Sequence, residues 1–200
     1  MQCGLSLQYS ERALEQCFNA RMQIPFLYTP YYYLGSETFP DLYCIPEENP
    51  TEIIPLELGL VSSEIDDIFL YRLQNSTCFK DYRESLDFKK CLILATGIIL
   101  PETSSKGVVP KLYELGFNTP FCIAGVYEEI KPEYYTGAIL IRDQFPVVIH
   151  LGLELEYLSG TSLSQVALNK KDLSSTELKT ELYTTEKNFN TKKSFQSLRY

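Results

Sequence analysis

The chain has 200 residues, a hydrophobic fraction of 44% and a formal net charge of −8. That length fits one domain, or one domain with a tail. No segment approaches the roughly 18 consecutive apolar residues that cross a bilayer, and the N-terminal sequence lacks the pattern of a secretory signal. Residues 1–159 carry a charge of −11 and residues 160–200 carry +3. A body this acidic disfavours nucleic acids and anionic membrane surfaces as partners, because both repel it.

Six cysteines and one histidine are the candidates for metal or redox chemistry. The cysteines are scattered and include no Cys-x-x-Cys pair. This pattern favours reduced thiols that serve as packing residues in a cytosol-like compartment. With His150 as the sole histidine and no cysteine cluster, we expect no metal site, and we interpret His150 as structural.

The first third of the chain predicts one helix followed by extended structure. Residues 10–22 place apolar side chains at helical spacing behind Ser10, which can cap a helix. Prolines at 25 and 30 and a tyrosine run then predict extended backbone. Basic residues do not interleave the aromatic cluster, so a core or flap role is favoured over base stacking; the cluster comprises Phe26, Tyr28, Tyr31, Tyr32 and Tyr33. Residues 41–50, rich in Pro and Glu, predict a loop.

The middle of the chain predicts four strands and one short helix. Strands are predicted over residues 52–61, 68–74, 90–100 and 121–128, and a helix over residues 110–117, which begins with Pro and ends near Gly. Pro55 indicates an edge position or a bulge in the first of these strands. Arg72 interrupts the second, either as an edge or snorkelling residue or as a cation held in a pocket for a carboxylate.

The segment 137–157 predicts a β-hairpin. Residues 137–142 would pair with residues 147–157 across the turn RDQFP. In the second arm the odd positions are all apolar, and the even positions include Glu154 and Glu156, which face either solvent or a cavity. Beyond Gly160 the chain predicts a polar, mobile tail with a short helix near residues 173–183. We therefore expect a soluble α+β domain over residues 1–159 and a tail over residues 160–200.

Several of these pieces, in order, resemble the chorismate pyruvate-lyase family. They are YRLQ with Arg72, ATGIILP, LYELGFNTPFC and the arm FPVVIHLGLELEY, and EIIPLELGLVSSE resembles the strand and turn upstream. The resemblance covers roughly residues 52–158, and the short chain is most similar to the chorismate-lyase-like proteins of red algal plastids and cyanobacteria. It implies an α+β fold in which an antiparallel β-sheet and covering helices enclose a ligand cavity.

The resemblance also implies a reaction and a site. Chorismate would lose pyruvate to give 4-hydroxybenzoate for quinone synthesis, without cofactor or metal, in a plastid stroma or a cyanobacterial cytoplasm. Arg72 would bind the carboxylate, the backbone around Phe121 and Cys122 would donate hydrogen bonds, and Glu154, beside the small Gly152, would act as general acid or base. The partner would be an aromatic or cyclohexadienyl carboxylate bound by a monomer.

Two alternatives stay open at this point. One is a non-catalytic module on the same fold that binds a small aromatic acid or has a regulatory role. The other is an interaction protein that uses the acidic surface and the basic tail.

Overall fold

The computed structural model describes residues 3–35, 41–62, 71–72, 78–79, 88–104, 107–116 and 119–178. Strands make up 54% of these residues, and the helices are short. The prediction of an α+β fold with helices covering a sheet is therefore wrong. The described chain is mostly β and contains a closed five-stranded barrel.

The described part of the chain contains fifteen strands and three α-helices. The strands are β1 (Gly4–Leu7), β2 (Arg21–Met22), β3 (Tyr31–Gly35), β4 (Asp41–Pro46), β5 (Glu52–Leu58), β6 (Val61–Ser62), β7 (Tyr71–Arg72), β8 (Cys78–Phe79), β9 (Lys89–Ala95), β10 (Gly97–Ser104), β11 (Gly107–Glu114), β12 (Phe121–Lys131), β13 (Tyr134–Arg142), β14 (Phe145–Pro146) and β15 (Ser174–Glu177). The helices are α1 (Glu11–Phe18), α2 (Glu154–Leu158) and α3 (Leu163–Val166).

Five strands close the barrel in the order β13, β12, β9, β4 and β5. Each neighbouring pair in that order is antiparallel, and β5 then returns to β13 in a parallel joint. The joint pairs Glu57 with Thr136 and Leu58 with Gly137, and the Gly59 amide donates to the Gly137 carbonyl at 2.7 Å. Pro55 lies between the parts of β5 that pair with β2 and with β13, where its missing N–H removes no ladder bond.

The barrel strands are buried on both faces. In β9 every side chain from Cys91 to Ala95 is at most 1% exposed, so the strand is continuously apolar instead of alternating. One face forms the barrel interior. The other is covered in part by α2, where the Tyr157 hydroxyl donates to the Gly125 carbonyl at 2.8 Å, and residues 147–149 pair with β12 through backbone hydrogen bonds.

A second sheet of five strands has the order β15, β11, β10, β1 and β3. The chain passes from the barrel into this sheet at Thr96, between β9 and β10. The Thr96 amide donates to the Ser6 carbonyl at 2.7 Å, and Gly97 packs so closely that a Cβ there would lie 2.6 Å from Ser6 Oγ. The single strand predicted over residues 90–100 is therefore two strands in two sheets.

Several other local predictions are also corrected. Of the helix predicted over residues 110–117, the described residues 110–116 are not helical, because β11 pairs with β10 from Gly107 to Tyr113. Residues 41–50 are not simply a loop, since β4 occupies their first half. The tail does not begin at Gly160: Val166 and Leu173 are buried, and β15 pairs with β11. The strand predicted over residues 68–74 lies mostly outside the described residues.

The helix and the hairpin turn were predicted in part. Ser10 caps α1 as expected, accepting from the Ala13 amide at 3.3 Å, but α1 ends at Phe18, where Asn19 adopts a left-handed conformation. The turn after β13 is present and leads into β14. The second arm is wrong, because residues 147–149 cross to β12 and the chain then turns at Gly152 (φ 86°) into α2.

Candidate functional site

Three residues of the predicted lyase site lie near one another. Glu154 begins α2 instead of lying on a strand, and its carboxylate accepts from the Gly152 amide at 2.7 Å. Burial, and secondarily the Glu154 charge, raise the pKa of the Cys122 thiol well above its usual range. The Glu154 carboxylate is thus hydrogen-bonded within its own turn, and it lies near Cys122 on the outer side of β12.

Phe121, which was also predicted to belong to the site, does not face this group. Phe121 is fully buried and adjoins Cys122 in β12, so its side chain points to the opposite face, into the barrel. The backbone there is committed to sheet pairing, since Phe121 pairs with Ala95 and the Cys122 carbonyl accepts from the Ile149 amide at 2.9 Å. Arg72 lies in β7, paired with Val61, and its side chain lies outside the described part of the structure.

An ionic cluster lies on the second sheet around Glu102. Its carboxylate accepts from Lys170 at 2.5 Å, from Lys111 at 3.0 Å and from the Tyr113 hydroxyl. Lys170 also lies over the rings of Tyr113 and Phe145, at 4.7 and 5.4 Å from their centroids. Because each charge has a partner, the cluster fastens the segment containing Lys170 to β10 and β11, and it offers no free group for a ligand.

A different surface feature is built by residues 24–28, which we call the Phe26 turn. Its start is held to the barrel, where the Gln23 amide donates to the Ile53 carbonyl at 2.9 Å. Pro25 then begins a 3₁₀ turn over Pro25–Leu27, in which the Leu27 amide donates to the Ile24 carbonyl at 3.1 Å. Proline suits this first position because its φ is already close to the helical value.

Two tyrosines hold the Phe26 turn from beneath. The Tyr43 hydroxyl donates to the Leu27 carbonyl at 3.2 Å and accepts from the Thr29 amide. The Tyr28 hydroxyl donates to the Tyr9 carbonyl at 2.6 Å, and the Tyr28 and Tyr43 rings meet edge to face at 4.9 Å. The turn is therefore fixed by backbone hydrogen bonds, by side-chain hydrogen bonds and by ring packing.

These phenols stay neutral over the physiological range. Burial raises the pKa of Tyr28 and of Tyr43 above the usual value, and it raises that of Tyr31, which is buried beneath them, further still. A neutral phenol keeps its proton as a hydrogen-bond donor. The two hydroxyl bonds that hold the turn are consequently insensitive to pH near neutrality.

The held turn presents two large apolar side chains to solvent. Phe26 is 86% exposed and Leu27 is 56% exposed. Single exposed apolar residues are ordinary, but a neighbouring pair on a rigid turn is a feature of interaction surfaces. A second exposed pair, Leu151 and Leu155, lies at α2, which the Tyr157 hydroxyl holds to β12 by its bond to the Gly125 carbonyl.

Three carboxylates act on Tyr135, which contacts the segment that leads into the Phe26 turn. Gln23, three residues before Phe26, donates to the Tyr135 hydroxyl, and burial together with the charges of Glu129, Glu133 and Glu52 raises the pKa of Tyr135. These charges belong to a body in which residues 1–178 contain 13 Lys and Arg against 24 Asp and Glu. The apolar projection of the turn therefore belongs to a strongly acidic body.

Within the described ranges, we find no group of three or more His, Cys, Asp or Glu residues that could hold a metal ion. No helix in the described part of the chain is long and apolar enough to cross a membrane. Among the cysteines whose side chains the structure describes, Cys3, Cys44, Cys91 and Cys122 are buried and Cys17 is exposed.

Sequence reasoning missed the Phe26 turn because it treated the aromatic cluster as one unit. The structure divides that cluster: Tyr31 is buried, Tyr28 is partly buried and Phe26 projects into solvent. The available signal was Pro25, which can start a turn immediately before Phe26. Hydrogen bonds from Tyr43 could not be inferred, because they depend on the placement of β4.

Comparisons with known proteins show the fold but no family. No protein-family model matches the chain. No curated protein matches it significantly. Among solved structures, a protein from Bacteroides thetaiotaomicron is similar with a TM-score of 0.70 and 12% identity, over 90% of this chain and 93% of that chain.

Two further solved structures come from Bordetella bronchiseptica. One protein has a TM-score of 0.63 and 14% identity, over 90% of this chain and 100% of that chain. The other, a phage-related protein, has a TM-score of 0.59 and 15% identity, over 90% of this chain and 94% of that chain. At these identities the likeness concerns the fold alone.

Proposed function

We propose that this protein is a non-enzymatic interaction module that binds a basic, aromatic-containing peptide segment of a protein partner through the Phe26 turn. The single observation that carries the proposal is the 86% exposure of Phe26 on a turn whose backbone is fixed by the Tyr43 and Tyr28 hydroxyls. The net charge of −11 over residues 1–178 favours a partner of positive charge, since complementary charges steer association and exclude the wrong partners.

The energetics favour modest affinity. Burying Phe26 and Leu27 contributes about 1.5–3 kcal/mol each, while association costs about 4–15 kcal/mol in lost translational and rotational freedom. The rigid turn reduces the further cost of ordering side chains and loops. Contacts to the carboxylates must therefore add to the apolar contact, and a micromolar dissociation constant is the expected range.

A random peptide library displayed on particles tests the proposal with the full chain as bait. Retained peptides are expected to combine Lys or Arg with aromatic residues, and their affinity should fall at least about tenfold with Phe26→Ala, the usual loss at an interface anchor. The matched control is Leu155→Ala. It truncates an exposed apolar side chain that lies outside the Phe26 turn, and it should leave peptide retention unchanged.

Two results would contradict this proposal. One is retention of peptides without any bias toward basic and aromatic residues, and the other is equal retention by the original chain and by Phe26→Ala. Either outcome would mean that the Phe26 turn is not the binding surface.

The lyase activity implied by the sequence resemblance stays a prediction, and a separate assay tests it. The purified full chain mixed with chorismate would release pyruvate and 4-hydroxybenzoate, and Arg72→Ala should largely abolish that release because the substrate carboxylate would lose its cation. Binding of 4-hydroxybenzoate without turnover would support the non-catalytic small-acid module instead. An absence of both binding and turnover would exclude the lyase and the small-acid module, and the interaction module would remain.

A further inference from the structure

We infer that Cys44 and Cys91 are a redox-sensitive pair, which a peroxide converts into a reversible disulfide that links β4 to β9 inside the barrel. The inference is independent of the proposed function, because it concerns the barrel and not the Phe26 turn. It is argued from the register of the two strands, the burial of both side chains and the contact between their sulfur atoms.

The two cysteines face each other across one strand pair. Strands β4 and β9 are antiparallel, and their register pairs Cys44 with Ile93 and Pro46 with Cys91. Because side chains alternate along a strand, Cys44 and Cys91 are diagonal neighbours on the same face of the sheet. The Cys91 thiol donates a hydrogen bond to the Cys44 sulfur. The two side chains are therefore already turned toward each other.

The other cysteines with described side chains are placed differently. Cys122 lies in β12, three positions from Gly125, which pairs with Cys91, so the side chains of Cys122 and Cys91 lie on opposite faces. Cys3 immediately precedes β1 in the second sheet, and Cys17 is exposed on α1. The register thus selects one pair.

The surroundings favour a neutral disulfide over a thiolate or a bound metal ion. Cys44 and Cys91 are fully buried, and the residues that pair with Cys44 on this face are Ile54 and Ile93. Burial, and secondly the hydrogen bond to Cys44, raise the pKa of the Cys91 thiol well above its usual range. A disulfide carries no charge, so it avoids the cost of burying an ion in this apolar interior.

Gly125 leaves space beside the Cys91 sulfur. It lies opposite Cys91 in β12, and a Cβ at this position would lie 3.1 Å from Cys91 Sγ. Diagonal neighbours have Cα atoms about 7–8 Å apart, slightly more than in most disulfides, so bond formation draws β4 and β9 together. Strain of this kind makes a disulfide easier to reduce, which makes the link reversible.

The oxidation balances with hydrogen peroxide as the oxidant. One thiol reacts with the peroxide to give a sulfenic acid and one water molecule. The second sulfur attacks the sulfenic sulfur, the S–S bond forms, and a second water molecule leaves with the remaining thiol proton. Two protons and two electrons thus pass from the cysteines to the peroxide. Because both thiols are buried, the first step follows local opening of the barrel.

A peptide map of the full chain tests the inference. The reduced chain is treated with hydrogen peroxide in native buffer, blocked with N-ethylmaleimide in denaturant and digested with trypsin in the absence of reductant. Cys44 and Cys91 are each the sole cysteine of their tryptic peptides, residues 22–72 and 91–106. Mass spectrometry should find these two peptides joined, with two hydrogen atoms lost, and separate after dithiothreitol.

The link should also stabilise the barrel. Cys44 and Cys91 are 47 positions apart, and cross-linking them restricts the unfolded chain. The urea midpoint should therefore rise by about 1 M or more on oxidation and return on reduction. Cys91→Ala should abolish both the link and the rise. Cys122→Ala, at another fully buried cysteine, is the matched control and should keep both.

Four results would overturn the inference. One is recovery of both cysteines as maleimide adducts after peroxide, and another is a link that forms only in the urea-unfolded chain. The third is equal amounts of cross-links to Cys122 or Cys78, which would show that the register selects no pair. The fourth is a link that lowers the urea midpoint, which would place the bond in a distorted barrel. The peptide map of the original chain decides the first three even where a variant does not fold.

Discussion

At the residue scale, the strongest local electrostatics surround Glu102. Hydrogen bonds from Lys170, then from Tyr113 and Lys111, lower the pKa of this carboxyl to about 2 from a usual value near 4.5. Its folded-state pKa lies below its unfolded value, so its contribution to stability is present above pH 4.5. That contribution is lost as pH falls through the window from about 4.5 to about 2.

Glu102→Gln is expected to remove this pH-dependent contribution, roughly 1 kcal/mol because the lysines are partly exposed. The difference in unfolding free energy between the original chain and the variant should be constant near neutrality and shrink below pH 4.5. Urea denaturation at a series of pH values measures it. Glu156→Gln, at an exposed residue of α2, is the control, and a difference that persists undiminished at acid pH would contradict the assignment.

Residue-scale sequence rules succeeded where the controlling contacts are local. Ser10 was predicted to cap a helix and does so, because its oxygen needs only the Ala13 amide three residues on. Phe26 was placed in a core or flap, and its exposure could not be foreseen, because the bonds that fix its turn come from Tyr43, distant in sequence. Arg72 stays a prediction, since its side chain lies outside the described residues.

At the element scale, pairing between distant segments overrode local signals. Residues 110–117 have a proline start and a glycine end, as a helix would, yet β11 pairs with β10 from Ser104–Gly107 to Ile98–Tyr113. Glu154 was placed on a strand by the alternation of residues 147–157. The positive φ of Gly152 ends the extended segment before that residue.

Two glycines in the barrel strands give a test at this scale. A Cβ at Gly137 would lie 2.6 Å from the Val126 carbonyl oxygen, which is backbone, whereas a Cβ at Gly125 would lie 2.7 Å from Ile93 Cδ1, which is side chain. Side chains can adjust and a paired backbone cannot. Gly125→Ala should cost about 1–3 kcal/mol, the usual range for overpacking, and Gly137→Ala more than about 3 kcal/mol.

Urea unfolding of both variants checks this order. Ser175→Ala in β15, an exposed position, should have little effect and serves as the control. If Gly137→Ala proves as stable as Gly125→Ala, the close approach of β13 to β12 and β5 described above is incorrect.

At the scale of the whole molecule, the sequence predicted an acidic domain rich in strands, but it did not predict how those strands close. The strands β5, β12 and β13 were each anticipated from apolar runs. Their closure depends on the pairing of Leu58 with Gly137, which leaves no local mark in the sequence. An enclosed ligand cavity was inferred from the family resemblance, whereas the barrel interior receives buried side chains such as Ile93 and Phe121.

The parallel joint between β5 and β13 has a consequence for the order of folding. Its partners Leu58 and Gly137 are 79 positions apart in the chain, and they meet without a hairpin to guide them. Closing so long a loop is entropically costly, and the cost is recovered only after the intervening strands have paired. The antiparallel pairs β4–β5 and β12–β13 should therefore form early, and β5–β13 should form in the slow, final step that converts an open sheet into a barrel.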